Sequence, residues 1–504
     1  MSAPGTIVDL IDFGDDDRAA ILAPGREPLS FAALRALVRD TVASLNRLAI
    51  GRGDRVAIVL PNGPEMAAAF VAVAAGAVAA PLNPTYRAEE FEFYLSDLGA
   101  KALIVEAGAT GPAVEVAHKL GVQIFELRPR IDSGAGAFEL VGAGRGGKMR
   151  SGPAAANDVA LILHTSGTTS QPKIVPLSQR NVCISAGNVA TTLALSASDR
   201  GLNFMPLFHI HGLIAGLLAP LSRGGAIFCT PGFNALKFFA WMREARPTWY
   251  TAVPTMHQAI LTRASHNQDV IAAHPLRFIR SSSSSMPPQV IADLEATFGA
   301  PLIEAYGMTE AAHQMASNPL VGLRKPGSVG PSAGPEIAVM DERGELLRPG
   351  ETGEVVIRGQ NVTAGYENNP KANAEAFCAG WFRTGDQGVL DADGYVRLTG
   401  RLKEIINRGG EKISPREIDE VLMDHPAVRQ VVTFAIPHDK LGEDVAAAVV
   451  LREGATLTEK TLREFAAERL APFKVPRRVV FLEEIPKGAT GKLQRIGLAE
   501  KLGL

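Results

Sequence analysis

The chain has 504 residues, enough for more than one domain and for large buried cores. Its 46% hydrophobic and 21% charged content is that of a globular protein. A formal net charge of −2 leaves no electrostatic footprint for nucleic acid or an anionic membrane, so neither is expected as a partner.

The opening MSAPGTIVDLIDFGDDD carries acids early and no basic segment before an apolar one. It does not read as a signal peptide, and a cytoplasmic location is expected. Within residues 29–60, SFAALRALVRDTVASLNRL reads as an amphipathic helix and residues 55–60 as a strand. Asn62-Gly63-Pro64 turns the chain into the Ala-rich run 66–80. That run is too short to span a bilayer and contains Gly76, so a buried helix is expected and membrane insertion is not. Residues 89–98 read as a second helix and 102–105 as a second buried strand. The alternation predicts an α/β architecture with mostly parallel sheets. Residues 133–150 are rich in glycine and are expected to form a mobile surface connection.

The centre of the sequence is residues 161–181, LILHTSGTTSQPKIVPLSQRN. An apolar run at 159–163 suits a buried strand. The turn Thr165, Ser166, Gly167, Thr168, Thr169, Ser170 follows, then Pro172 and Lys173, and Ser178 leads into a helix. Small residues allow close backbone approach, hydroxyls and amides donate hydrogen bonds, and Lys173 adds a positive charge. This describes a polyphosphate cradle, although the Walker spacing GxxxxGK[ST] cannot be aligned to it. A solvated Ser/Thr loop is the plainer alternative.

Downstream, NFMPLFHIHG at 203–212 resumes the α/β rhythm, followed by the apolar run 213–221. Residues 249–254 and 276–280 read as strands, each followed by a helical pattern, 257–262 and 289–298. Residues 302–306 form another short strand. The serine run 281–285, between a strand and a Pro-Pro helix start, reads as a polar turn. Short glycine-punctuated strands from 327 to 400 predict a β-rich subdomain. A last α/β unit starts at Lys403 and runs through 416–425, 431–436 and 459–470. Cys183, Cys229 and Cys378 have no metal-ligand spacing, which suggests a reducing compartment and core packing.

Residues 165–173 resemble, nearly residue for residue, the phosphate-binding signature of the adenylate-forming acyl-CoA synthetases. That superfamily includes firefly luciferase and the adenylation domains of peptide synthetases. Ile174 departs from the glycine usual after the lysine. The family's other signatures follow in order and extend the resemblance over essentially the whole chain. Tyr306-Gly307-Met308-Thr309-Glu310 matches YGxTE. The match implies that Tyr306 stacks on adenine, Thr309 meets the α-phosphate, and Glu310, with Thr168, holds Mg²⁺. Trp381 to Asp386 matches WxxTGD and Gly400-Arg401 the GR pair, which implies ribose contacts for Asp386 and Arg401. Lys403 aligns with the family's hinge, and Gly409 and Gly410 with the loop that lines the pantetheine tunnel. Pro486 to Lys492 matches PKxxxGK, which makes Lys492 the lysine that reaches the reacting carboxylate.

The resemblance implies a large N-terminal domain, residues 1–400, of mostly parallel sheets flanked by helices plus the β-rich subdomain 327–400. A small mobile α+β domain, residues 401–504, follows. The implied reaction is ATP- and Mg²⁺-dependent formation of an acyl-adenylate, then of an acyl-CoA, releasing AMP and pyrophosphate. Lys492, His209 and Glu310 form the implied catalytic set. Asn234 stands where a peptide-synthetase adenylation domain keeps an Asp, and no carrier attachment serine follows. A stand-alone CoA ligase without a carrier domain is therefore expected. HTSGTTSQPK, FHIHG, EAYGMTEAAHQM and INRGGEKISP are similar to the oxalate–CoA ligases. His209, His211 and His313 with Ser281 and Ser282 would make a polar recess unsuited to an alkyl chain. Oxalate is the expected acid, with short- or medium-chain fatty acids and malonate as alternatives. A catalytically silent nucleotide-binding protein is the alternative from another class.

Overall fold

The computed structural model describes residues 4–144, 146–165, 172–325, 327–486 and 493–504. Ser166, Gly167, Thr168 and Thr169 of the expected phosphate loop, and Lys492, lie outside the described residues.

The helix Phe31–Arg47 starts where Ser30 accepts a hydrogen bond from the Ala33 amide, and it buries Phe31, Leu34, Val38 and Leu45 at helical spacing. The helix Pro64–Ala74 opens with proline at its first turn and is buried on nearly every side. It is shorter than expected. After Gly76, whose missing side chain makes room for Val42, residues Val78–Pro81 extend into a fully buried strand.

Two large sheets carry the N-terminal part. The first orders its seven strands Phe138–Val141, Gln123–Pro129, Ala102–Glu106, Arg55–Val59, Val78–Pro81, Val159–Thr165 and Lys173–Ser178. Its inner pairs are parallel and both outermost pairs antiparallel. The second has eight strands. From one edge it runs His313–Ser317, Leu302–Met308, Phe278–Ser281, Trp249–Ala252 and Arg200–Asn203. It continues with Ala226–Cys229, Ala19–Leu22 and Leu29–Ser30. The interior strands again run parallel, Ile21 opposite Ile227. One buried cluster, with Phe31, Phe70, Leu213 and Tyr306 among its members, draws on elements of both sheets. The carboxyl ends of parallel strands are where such folds place ligands.

A third sheet of five strands is antiparallel throughout and lies between residues 336 and 401, as expected for the β-rich stretch. A fourth uses Ile406–Arg408, Glu411–Ile413, Val428–His438, Gly442–Leu451 and Arg478–Phe481. Its core contains Ile406, Ile418, Leu422, Val449 and Leu462.

Residues 134–141 are packed, contrary to expectation, while the described residues from 142 to 150 are mostly exposed, as a surface connection would be. Phe138–Val141 is an edge strand, and the glycines mark close approaches. A Cβ on Gly136 would lie 2.6 Å from the Pro64 carbonyl oxygen, and one on Gly144 2.8 Å from Leu48 Cα. The apolar run after His209 becomes the π-helix His211–Leu218, wholly buried. Cys183 and Cys229 are buried, and desolvation pushes both thiols well up; Cys378 is partly exposed. Among the described residues no helix is long and apolar enough to cross a membrane.

Candidate active site

The strand Leu302–Met308 delivers Tyr306 to the crevice beside the third sheet. There Asp386 and Arg401 sit opposite each other on paired antiparallel strands. The Tyr306 hydroxyl donates to Asp386 Oδ2 at 2.6 Å, and Arg401 Nε donates to Oδ1 at 2.9 Å. Burial, reinforced by the Asp386 charge, holds the Tyr306 phenol well above its ordinary pKa, so it stays a neutral donor. Each carboxylate oxygen keeps a second lone pair for a further donor such as a ribose hydroxyl.

Thr309 and Glu310 follow in a single 3₁₀ turn, Thr309–Ala311. Glu310 is buried, and Tyr366 donates its hydroxyl to Oε1 at 2.9 Å. The Lys173 ammonium lies 4.4 Å from the centre of the Tyr366 ring. Burial raises the Glu310 pKa, while the Tyr366 bond and the charges of Arg401 and Lys173 oppose the rise. Lys173 is also paired across strands with Thr165, so these two members of the expected phosphate-binding stretch are held side by side. Gly307 serves a close approach. A Cβ there would lie 1.7 Å from the His313 carbonyl oxygen, where the hairpin to His313–Ser317 shifts register.

The other wall carries the histidines. His211 and His313 stack with ring centres 4.9 Å apart and planes 22° apart. His313 holds φ at 102°, unusual for a residue other than glycine and typical of a site that over-determines its backbone. Ser283, itself at φ 75°, places its hydroxyl 3.1 Å from His211 Nδ1. The His211 amide donates to His209 Nδ1 at 3.3 Å. Of the two serines expected at the acid, Ser281 is buried with no hydrogen-bond partner for its hydroxyl, and Ser282 donates to the Ala305 carbonyl at 2.9 Å.

Behind the rings lies Arg280, 0% exposed, on the strand Phe278–Ser281 opposite Thr251. Its Nη1 lies 3.3 Å from both His211 Nε2 and Thr251 Oγ1. Its Nη2 lies 3.1 Å from His313 Nε2 and 3.3 Å from Gln314 Oε1. Among the described residues no carboxylate pairs with it, and its Nε has no partner. Desolvation lowers its pKa to about 9, which leaves it protonated at neutral pH. An unpaired buried charge costs on the order of several kcal/mol, so this one is an unusual element of a core.

Gly409 and Gly410 stand apart from both walls. They form the exposed turn of the hairpin Ile406–Arg408 and Glu411–Ile413, where Gly409 meets only Leu441. The neighbouring Lys412 pairs with Glu342 at 2.9 Å. Lys403 is exposed on the single turn Leu402–Glu404. Sequence reasoning missed Arg280 and Tyr366. A charged residue inside the apolar strand FIRS was the available signal for the first. Nothing comparable marked the second.

The AMP-binding enzyme family matches residues 14–367, and the AMP-binding enzyme C-terminal domain matches residues 417–492. The chain belongs to the AMP-binding enzyme family. This AMP-binding enzyme is 48% identical over 490 residues to the oxalate–CoA ligase of Arabidopsis thaliana, covering 95% of this chain and 94% of that one. To the oxalate–CoA ligase of Saccharomyces cerevisiae it is 43% identical, with 90% and 87% covered. Among solved structures, ATP-bound MatB from Rhodopseudomonas palustris is similar, with a TM-score of 0.88 and 30% identity over 99% of this chain and 98% of that one. This AMP-binding enzyme is an ATP-dependent acid–CoA ligase of the adenylate-forming type.

Proposed function

We propose that this AMP-binding enzyme activates oxalate to oxalyl-CoA. The observation that carries the proposal is the acid-side wall of two stacked imidazoles and the Ser283 hydroxyl, with a buried guanidinium behind them. An alkyl chain offers nothing to the Ser283 hydroxyl or to the guanidinium charge behind the rings, whereas a small dicarboxylate can accept from the one and offset the other. The names of the Arabidopsis and yeast relatives agree with this reading.

A carboxylate is a poor acyl donor because its carbon is not electrophilic and it has no leaving group. One carboxylate oxygen attacks the α-phosphorus of ATP and pyrophosphate leaves, giving an acyl-adenylate. The CoA sulfur then attacks the carbonyl carbon and AMP leaves. The protein's task is to hold two anions together and offset their repulsion. Tyr306 supplies an aromatic face for adenine. Asp386 and Arg401 hold the ribose, Thr309 the α-phosphate, and Lys173 with Thr165, Ser166, Gly167, Thr168 and Thr169 the phosphates. Lys492 reaches the reacting carboxylate, and His209 lines the acid's path.

Mg²⁺ fits the residues present. It favours one or two carboxylates plus phosphate oxygens, and Glu310 is a buried carboxylate whose ionised form a cation would stabilise. Glu310 would hold the ion with the Thr168 hydroxyl, and the ion would neutralise phosphate charge.

A hinge near Lys403 separates residues 1–400 from 401–504 in this reading. The core cluster that begins at Ile406 and the exposed Gly409-Gly410 turn support it, because rotation would exchange that turn for Lys492 at the acid. The use of ATP and CoA goes with a cytoplasmic setting.

The test is a panel of oxalate, malonate, acetate and hexanoate with ATP, Mg²⁺ and CoA, read as AMP and pyrophosphate. Oxalate is expected to give the highest kcat/KM. A fatty acid that outcompetes it would overturn the oxalate assignment and leave the ligase assignment standing.

A further inference from the structure

We infer that Arg280 is a positioning and specificity residue: it fixes the tautomers of His211 and His313 and supplies the positive charge that offsets the acid's non-reacting carboxylate. The inference rests on the reading that the substrate is a small dicarboxylate, and it deepens that reading.

The tautomers follow from donor chemistry. A guanidinium only donates. His211 Nε2 lies 3.3 Å from Arg280 Nη1, and His313 Nε2 lies 3.1 Å from Nη2. Both Nε2 atoms therefore accept, and each neutral ring carries its proton on Nδ1. Thr251, 2.6 Å from His211 Nε2, adds a second donor to the same lone pair. His211 Nδ1 then donates to Ser283 Oγ at 3.1 Å. Protonating either ring at Nε2 would set N–H against N–H. A ring protonated on both nitrogens would also set a second cation against the guanidinium. The pair is thus held neutral, and because His211 spends its N–H on Ser283 Oγ, the Ser283 hydroxyl keeps its own proton for a carboxylate, a role suited to binding rather than to removing a proton.

The charge follows from the partners. Arg280 is fully buried, and the groups around it, two imidazoles, the Thr251 hydroxyl and the Gln314 amide, are all neutral. A structural buried arginine is ordinarily matched by an acid within the protein. Here the anion must come from the ligand. When a dicarboxylate is adenylated, one carboxylate becomes a mixed anhydride and the other keeps its charge close to the reacting carbon. A monocarboxylate keeps none. Arg280 therefore discriminates by the charge that remains after the first half-reaction, and it does so through the two rings.

The experiment compares Arg280→Met and Arg280→Lys with the wild type in ATP–pyrophosphate exchange driven by oxalate, malonate or acetate. For the Met variant, KM for oxalate is expected to rise on the order of 10²-fold while KM for ATP and acetate-driven exchange stay within about twofold. The Lys variant keeps a charge on a similar stem and is expected to retain the preference for dicarboxylates within about tenfold. Histidine ¹⁵N spectra of the wild type should show two Nδ1–H tautomers whose pattern is lost in the Met variant. A folded Met variant that keeps the dicarboxylate preference, or that loses oxalate and acetate alike, overturns the inference. Should the Met variant fail to fold, a Lys variant that prefers acetate overturns it. A wild type that itself prefers acetate to both dicarboxylates overturns the underlying substrate reading instead.

Discussion

In the proposed role of cation ligand Glu310 would have to be ionised, yet it is buried where ionisation is costly. The Tyr366 hydroxyl at 2.9 Å, with Lys173 lying over the Tyr366 ring, lowers that cost. Burial raises the Glu310 pKa and the Tyr366 bond lowers it, so Tyr366→Phe should raise it further. The acid limb of kcat/KM for ATP is then expected to move to higher pH, with activity near neutral pH reduced about tenfold and recovered in part as the pH rises. Pyrophosphate release measured across pH checks this, and an unmoved acid limb would separate Tyr366 from Glu310. Motifs with fixed order, such as YGMTE and TGD, made Tyr306, Glu310 and Asp386 legible in the sequence. Tyr366 and Arg280 were not, because their importance comes from what the fold sets against them.

At the scale of elements, the hairpin from Leu302–Met308 to His313–Ser317 connects the two walls of the site. Gly307 permits it, since a methyl group there would lie 1.7 Å from backbone that cannot swing aside. Gly307→Ala is expected to destabilise the protein by roughly 2–4 kcal/mol and to displace His313, with denaturant melts and oxalate KM both affected. Gly187→Ala is the matched control. It lies inside the helix Gln179–Thr192 with nothing within 4 Å of a new Cβ, and should stabilise by about 0.5–1 kcal/mol. The buried parallel strands were readable as short apolar runs, because both of their faces are covered. The strand Lys173–Ser178 was not, for it contains Pro176, which argues against a strand unless the strand is an edge, as this one is. The glycines from 134 to 144 were misread for a related reason. Composition does not separate a glycine that confers freedom from one that makes room.

At the scale of the molecule, the N- and C-terminal parts meet at Glu304, which the strand Leu302–Met308 buries beside Arg416 of the helix Pro415–Met423. Burial raises the Glu304 pKa from 4.5 to about 7. Arg416 opposes the rise and Glu420 adds to it. The folded protein therefore binds this proton more tightly than the unfolded chain. Its contribution is present in full below about pH 4.5 and is lost as the pH rises through about 7. The loss is on the order of 3 kcal/mol. Glu304→Gln should flatten stability across this window and raise it at pH 8, as urea melts at several pH values would show. An unchanged pH slope would mean that Glu304 is not the linked group.

The strand Ala19–Leu22 has a consequence for how the protein is made. Its parallel partner is Ala226–Cys229, with Ile21 set against Ile227, so its place in the sheet exists only after some two hundred further residues. At roughly 5–20 residues per second, a ribosome needs about 10–40 s to cover that distance. Throughout that interval Ala20 and Ile21, both 0% exposed in the finished protein, have no sheet to enter. The seven-stranded sheet, whose strands end at Ser178, can close first. An early part of the chain to emerge is thus among the later parts of its sheet to dock, and the nascent polypeptide must carry an apolar segment in the open for about 10–40 s.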